Sequence, residues 1–185
     1  ISSYIMQNEK EAAAKYLAMF SKLMRFTLES SKENWITLDK ELASLNQYLT
    51  LEQLRLKNIF EFKIEKTASV EDDMLVPPML IQPLVENAII HGILPKQAKG
   101  KIDLHFEVKN NQLQVTIIDD GIGIENSMKE KENQVELHKS LALNIIKERL
   151  EMLQKNNLEI SGQKTKLEYK QTNSGTTVVL VVPIK

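Results

Sequence analysis

Four short stretches of this chain hold the residue types that ligand chemistry needs. "DDGIG", Asp119 to Gly123, sets two carboxylates ahead of two glycines, Gly121 and Gly123. Glycines at that spacing allow a tight turn and let a ligand ring approach the backbone closely. A carboxylate at a strand end can accept hydrogen bonds from an exocyclic amine, which is how a protein reads adenine. An ordinary exit from strand to turn explains the same five residues, and both readings stand. The oxygen-ligand ladder of an EF-hand loop is absent after Gly123, which argues against calcium. In "PLVENAIIHG", residues 83–92, Asn87 is a primary amide on the edge of an apolar stripe. Its oxygen is a hard ligand suited to Mg²⁺, an ion usually shared with phosphates; an Asn that caps or bridges backbone groups fits equally. "HKSLAL", His138 to Leu143, opens a helical stretch whose free N–H groups can hold a phosphate. Lys139 adds charge there, and Ser140 and Ala142 are small enough for close approach, although a plain capped helix looks the same. The last stretch is "NSGTTV", with Gly175 and Thr176 in a hairpin turn.

Elements must position these groups. Ala13, Tyr16, Leu17, Phe20, Leu23, Met24 and Leu28 fall at three- and four-residue steps, which predicts a helix from about Glu9 to Ser30. A second helix follows, with Thr37 as N-cap, Asp39 and Glu41 in its first turn, and leucines at 38, 42, 45, 49, 54 and 56. This pair either packs its leucines on its own domain or forms a dimerisation and linker unit. At Phe60 the period changes to two, so "FEFKIE" is a strand with one wet face. Pro77 and Pro78 then open a helix carrying Leu80, Ile81, Leu84, Val85 and Ala88. "KIDLHFEV" and "QLQVTIID" make a hairpin around Asn110-Asn111, residues 125–137 read as a loop, and residues 140–154 as a helix. "KLEYKQ" and "TTVVLVVPI" close a second hairpin. The expected class is α+β, a two-layer sandwich whose mixed, mostly antiparallel sheet carries helices on one face, preceded by N-terminal helices. We divide it into a helical remnant, residues 1–57, and a second domain, residues 58–185.

Composition bounds the partners. The 185 residues include 24 basic and 25 acidic side chains, a net charge of −1, and no Lys/Arg run or basic–aromatic stripe, so nucleic acid is not an expected partner. There is no cysteine, hence no disulfide framework and no thiolate metal site. The longest apolar run, Thr177 to Ile184, is strand-length and far from the roughly 20 residues of a membrane span. Starting at Ile1 without an initiator methionine, the chain reads as a fragment of a longer, membrane-bound protein.

Taken in order, "YLAMFSKLMRFTLESS", "ITLDKELASLNQYLTLEQLRL", "PPMLIQPLVENAIIHG", "DDGIG", "HKSLALNIIKERL" and "SGTTVVLVVP" resemble the blocks of LytS-type sensor histidine kinases. That family belongs to the superfamily of gyrase, heat-shock chaperone, histidine kinase and MutL, and the resemblance runs over nearly the whole chain. It implies a Bergerat-type ATP-binding fold and ATP with Mg²⁺ as cofactors. By resemblance Asn87 is the N-box metal ligand, and Asp119 holds adenine in a pocket shaped by Gly121 and Gly123. Ser140-Leu141-Ala142-Leu143, after Lys139, takes the place of the Gly-x-Gly-Leu that meets phosphate. Thr176 matches the closing-strand threonine near adenine. The implied partners are a response regulator of the LytTR type and a second copy of the full-length protein. The implied location is the cytoplasmic side of an inner or plasma membrane.

Three departures qualify the match. The family's phosphoacceptor histidine lies in a motif just upstream of the segment resembling "ISSYIM", and none of His91, His105 and His138 sits in such a motif. Both glycines of the Gly-x-Gly-Leu box are replaced, by Ser140 and Ala142. Position 90 is Ile where relatives carry Lys or an aromatic residue. In the hydrolysing branches of the superfamily a general-base Glu precedes the metal-binding Asn by one helical turn; that position here is Pro83, which can abstract no proton. Glu86 points about 100° away from Asn87 around the helix. Transfer of a phosphoryl group to a protein histidine is therefore the expected chemistry, against two rivals: a scaffold that has lost nucleotide binding, and an ATPase switch of the MutL or chaperone kind.

Overall fold

The computed structural model describes residues 10–123, 146, 148–152, 165–172 and 174–185. The chain opens with α1 (Lys10–Ser30) and α2 (Leu38–Arg55). Helix α1 buries Ala13 and Leu23, with Tyr16, Met19 and Phe26 packed at the margin of the core. The Gln47 side-chain amide of α2 donates to the Met19 carbonyl, pinning the two helices together. A second stripe on α1, Leu17, Phe20, Met24 and Leu28, stays exposed. Helix α2 sinks Leu38, Leu45, Tyr48, Leu49 and Leu51 into the same core that the sheet lines.

Thr37 occupies the N-cap of α2 with extended backbone, but its side chain makes no cap bond. The helix-start amides are satisfied from elsewhere: Leu38 donates to the Met74 carbonyl (2.8 Å) and Asp39 to that of Asp72 (3.0 Å). A two-stranded antiparallel ribbon, β1 (Ile36–Thr37) with β3 (Leu75–Val76), brings that turn to the helix. The Thr37 hydroxyl turns instead to Asp39 and holds its carboxyl below the usual range.

The main sheet has the order β2-β4-β5-β7-β6, from β2 (Phe60–Lys66), β4 (Gly100–Lys109), β5 (Gln112–Asp119), β6 (Lys166–Thr172) and β7 (Gly175–Pro183). Strand β2 lies parallel to β4, which requires a crossover, and the other pairs are antiparallel. Period-two alternation assigns the faces. Ile102, Leu104, Phe106, Leu113, Val115, Ile117, Leu180 and Val182 are buried under the helices, while Lys101, Asp103, His105, Glu107, Gln114 and Thr116 share the other face. Asn110 and Asn111 both take left-handed backbone, as a two-residue hairpin turn demands.

The helix carrying Asn87 departs from expectation at both ends. It does not open at Pro77-Pro78 but at Gln82: α3 spans Gln82–Asn87. The ring of Pro78 disfavours helical backbone at residue 77, and Met79 sits at φ 59, so the chain turns before it coils. Leu80 and Ile81 still reach the core, from the turn rather than from the helix. After Asn87 the coil widens into a π-helix, Ala88–Ile93, and tightens into a 3₁₀ turn, Leu94–Lys96. Beyond β5, residues 146 and 148–152 are helical, with Ile146 and Leu150 in the core, in keeping with the helix expected there.

Candidate functional site

The site is built where the end of β5 meets the widened helix. Asp119 is the last residue of β5, opposite Thr176 of β7 and Ile102 of β4. Alternation along β5 turns its side chain to the covered face, and it is 3% exposed. One carboxylate oxygen, Oδ1, accepts from the Gly121 amide at 2.9 Å, and the Thr176 amide also donates to the group. Burial pushes the carboxyl up to about 6, and the neighbouring Asp120 charge adds to the rise; the two amides and Lys96 act against it. Above that pH Asp119 is an ionised acceptor at the floor of the candidate site.

Gly92 sets that floor. A Cβ on Gly92 would stand 2.7 Å from Asp119 Oδ1, and one on Gly121 would stand 2.3 Å from the Gly92 backbone. The Ile122 amide closes the contact by donating to the Gly92 carbonyl at 3.1 Å. The turn after β5 is therefore seated directly on the π-helix, with no room for a side chain on either partner. Gly123, at φ 79, occupies the left-handed region that favours glycine, beside Gln171 and Gly175. Asp120 faces the other way: its carboxylate accepts from the Lys101 amide (2.8 Å) and pairs with Lys96 (2.9 Å), holding the turn to β4 and to the 3₁₀ segment.

Asp119, Gly121, Gly123 and Thr176 thus converge as the sequence led us to expect. Asn87 lies on the same coil as Gly92, at the last residue of the α-helical part, and is half-buried. Its Nδ2 is buried with no hydrogen-bond partner among the described residues. An amide oxygen of this kind fits a hard cation, and a buried carboxylate beside backbone amides, such as Asp119, fits a nucleobase amine. Among the described residues there is no cluster of three or more His, Cys, Asp or Glu side chains able to hold a metal. Burial raises the Glu86 carboxyl, with Glu52 adding to the rise and Arg55 opposing it from α2, and Pro83 sits in the first turn of α3, so neither places a base beside Asn87. Lys139, Ser140, Leu141, Ala142 and Leu143, with His138 and the 125–137 loop, lie outside the described residues.

The reading of single residues missed Gly92. Its signal was present, as a glycine inside an apolar helical pattern, which marks close backbone approach; the residue it meets lies 27 positions on and could not be named from spacing. The π-helix carries no sequence signature at all.

A strand-end carboxylate seated on a glycine of a neighbouring helix, in a mixed sheet covered by helices, is the setting in which comparison with known proteins places this chain in a family. The family model "Histidine kinase-, DNA gyrase B-, and HSP90-like ATPase" matches residues 77–185, and the model "Histidine kinase" matches residues 1–60. The chain belongs to this family of ATPases, in its histidine-kinase branch. It is 34% identical over 186 residues to the sensor histidine kinase/phosphatase LytS of Staphylococcus aureus strain Mu50, and 32% identical over 181 residues to the sensor protein LytS of Staphylococcus haemolyticus. Each match covers 98% of this chain, which spans only 30% of the length of either relative. The fold is shared with the histidine kinase domain of an Erythrobacter litoralis blue-light activated kinase (TM-score 0.56, 16% identity, 98% of this chain and 82% of that one). It is shared also with histidine kinase ThkA, solved in complex with the response regulator protein TrrA (TM-score 0.51, 19% identity, 97% of this chain and 49% of that one). No helix among the described residues is long and apolar enough to cross a membrane.

Proposed function

We propose that this chain is the ATP-binding catalytic fragment of a two-component sensor histidine kinase. The observation that carries the reading is the buried Asp119 carboxylate, held by the Gly121 and Thr176 amides and seated against Gly92 on the Asn87 coil. Asp119, ionised above about pH 6, accepts the exocyclic amine of adenine, and the glycine floor of Gly92 and Gly121 lets the ring lie against backbone. Asn87 offers its amide oxygen to Mg²⁺, which when bound neutralises charge on the phosphates. By resemblance, Lys139 and Ser140–Leu143 meet those phosphates. Pro83 and the turned-away Glu86 leave water without a positioned base, so catalysis rests on orientation and charge neutralisation. The γ-phosphoryl group then passes to a histidine nitrogen upstream of this chain in the whole protein, and from there to an aspartate of a response regulator, of LytTR type by resemblance.

The exposed apolar stripe of α1 supports a dimer in the full-length protein, and the whole would be membrane-anchored with this part in the cytoplasm. In this reading residues 1–57 are the remnant of the dimerisation and linker helices, and residues 58–185 the catalytic domain. Calorimetric titration of the chain with Mg-ATP tests the reading. Wild-type binding that is lost in Asp119→Asn supports it. No binding by the wild type would mean a scaffold, equal binding by both proteins would remove Asp119 from the adenine, and steady hydrolysis by the chain alone would mean an ATPase switch.

A further inference from the structure

The mechanism above leaves unused the most buried carboxylate of the helical pair. Glu41 of α2 is 3% exposed, and its two oxygens accept from the Met79 amide at 3.1 and 3.2 Å, across 38 residues of chain. The Ile81 amide also donates to it. These amides belong to the turn that launches α3, a helix whose own N-cap residue, Ile81, makes no side-chain cap bond. Met79 is held at φ 59, a conformation that a non-glycine side chain keeps only where its surroundings enforce it. The cation facing Glu41 is Arg149, half-buried on the helical segment 148–152 that packs Leu150 into the core. One carboxylate therefore joins three pieces: α2, the Met79–Ile81 turn, and the late helix.

We propose that Glu41 is a positioning residue for the metal and phosphate side of the nucleotide site, fixing from α2 the turn that aims the Asn87 coil. The inference rests on the nucleotide reading above. Leu84 and Val85 anchor α3 in the core, so the freedom left to this short helix is its start, and Glu41 holds that start. Asn87 closes the same six-residue helix, so a shift at Met79–Ile81 that tilts α3 about the Leu84 and Val85 anchor displaces its amide. Asp119 is also held by the β5–β7 pairing and by the Gly121 amide, so the adenine end leans less on the start of α3 than Asn87 does.

The test measures ADP affinity by calorimetry with and without Mg²⁺, and adenosine affinity, in wild type, Glu41→Gln and Glu41→Asp; the last keeps the charge but falls one methylene short of the amides. In either variant the gain in ADP affinity that Mg²⁺ confers is expected to drop about fivefold or more, the effect of weakening the bonds that hold the Met79–Ile81 turn, while adenosine affinity stays within twofold. An NMR spectrum of the nucleotide-free protein should show the Asn87 side-chain amide resonances displaced in both variants. This reading survives if one variant loses its cooperative melt, because the other still reports. Equal Mg²⁺ dependence in wild type and a folded variant, or unmoved Asn87 resonances, overturns the inference alone. Failure of the wild type to bind any nucleotide overturns the nucleotide reading and this one with it. A merely structural Glu41 would lower the melting temperature and leave the Mg²⁺ dependence unchanged.

Discussion

Replacing Gly92 by alanine adds a single methyl group at a place where the site has no room for it. The new Cβ would lie 2.7 Å from Asp119 Oδ1 and 3.2 Å from its Cγ, well inside van der Waals contact. The helix cannot retreat, because Ile89 and Ile93 on either side of Gly92 are fully buried, so the carboxylate must move. Moving it stretches the 2.9 Å bond from the Gly121 amide and the bond from Thr176. Overpacking of this kind costs about 1–3 kcal/mol of stability, or roughly 2–12 °C in Tm for a chain of this size. Loss of a correctly placed charged acceptor removes about 1.5–3 kcal/mol of binding, which is about 10- to 150-fold in Kd for Mg-ATP. Calorimetry on Gly92→Ala beside Asp119→Asn checks this, and the two should lose affinity to a similar degree. Gly121→Ala must be worse than Gly92→Ala, since its methyl would stand 2.3 Å from main-chain atoms that cannot rotate away. A folded Gly92→Ala protein that binds Mg-ATP within twofold of wild type would refute the contact as the floor of the site.

Three further outcomes follow from the same geometry. With the Asp119 carboxyl raised to about 6, nucleotide affinity should be level above that pH and fall toward tenfold per unit below it, as the acceptor is protonated; titrations from pH 5 to 8 show whether it does, and Asp119→Asn should be flat. Asn87→Ala should leave metal-free ADP binding within about twofold while abolishing most of the gain from Mg²⁺, since the half-buried amide has no partner on its Nδ2 to lose among the described residues. Burial raises the Glu41 carboxyl to about 7, so the folded chain holds that proton more tightly than the unfolded one. Its contribution to stability is then fully present below about pH 4.5 and lost as pH climbs through 7, an effect on the order of 3 kcal/mol. Urea midpoints should accordingly decline from pH 5 to 8, and Glu41→Gln should flatten that decline.

Local pattern was enough for much of this molecule. The period-two alternation in "KIDLHFEV" and "QLQVTIID" identified strands and their buried faces, because side chains on a pleated strand alternate whatever the partners are. Asn110-Asn111 marked their turn, because few residues tolerate positive φ. The stripe Leu80, Ile81, Leu84, Val85, Ala88 identified core residues correctly even though two of them precede the helix. The cluster Asp119, Gly121, Gly123 and Thr176 was legible as chemistry, since glycines at close approach and a strand-end carboxylate are local features. What the chain could not show by itself were the meetings between distant segments. Thr37 was a sound cap on local grounds, but the β1–β3 ribbon brought carbonyls of Asp72 and Met74 to its helix first. Glu41 read as a favourable first-turn acid, and only packing buried it against the Met79 amide. Gly92 became necessary because the turn after β5 comes to rest on it. Sequence determined which residues could do chemistry, because type and spacing are covalent facts. Tertiary structure alone decided which backbone each side chain would meet, because those contacts join residues tens of positions apart and arise only when the core closes.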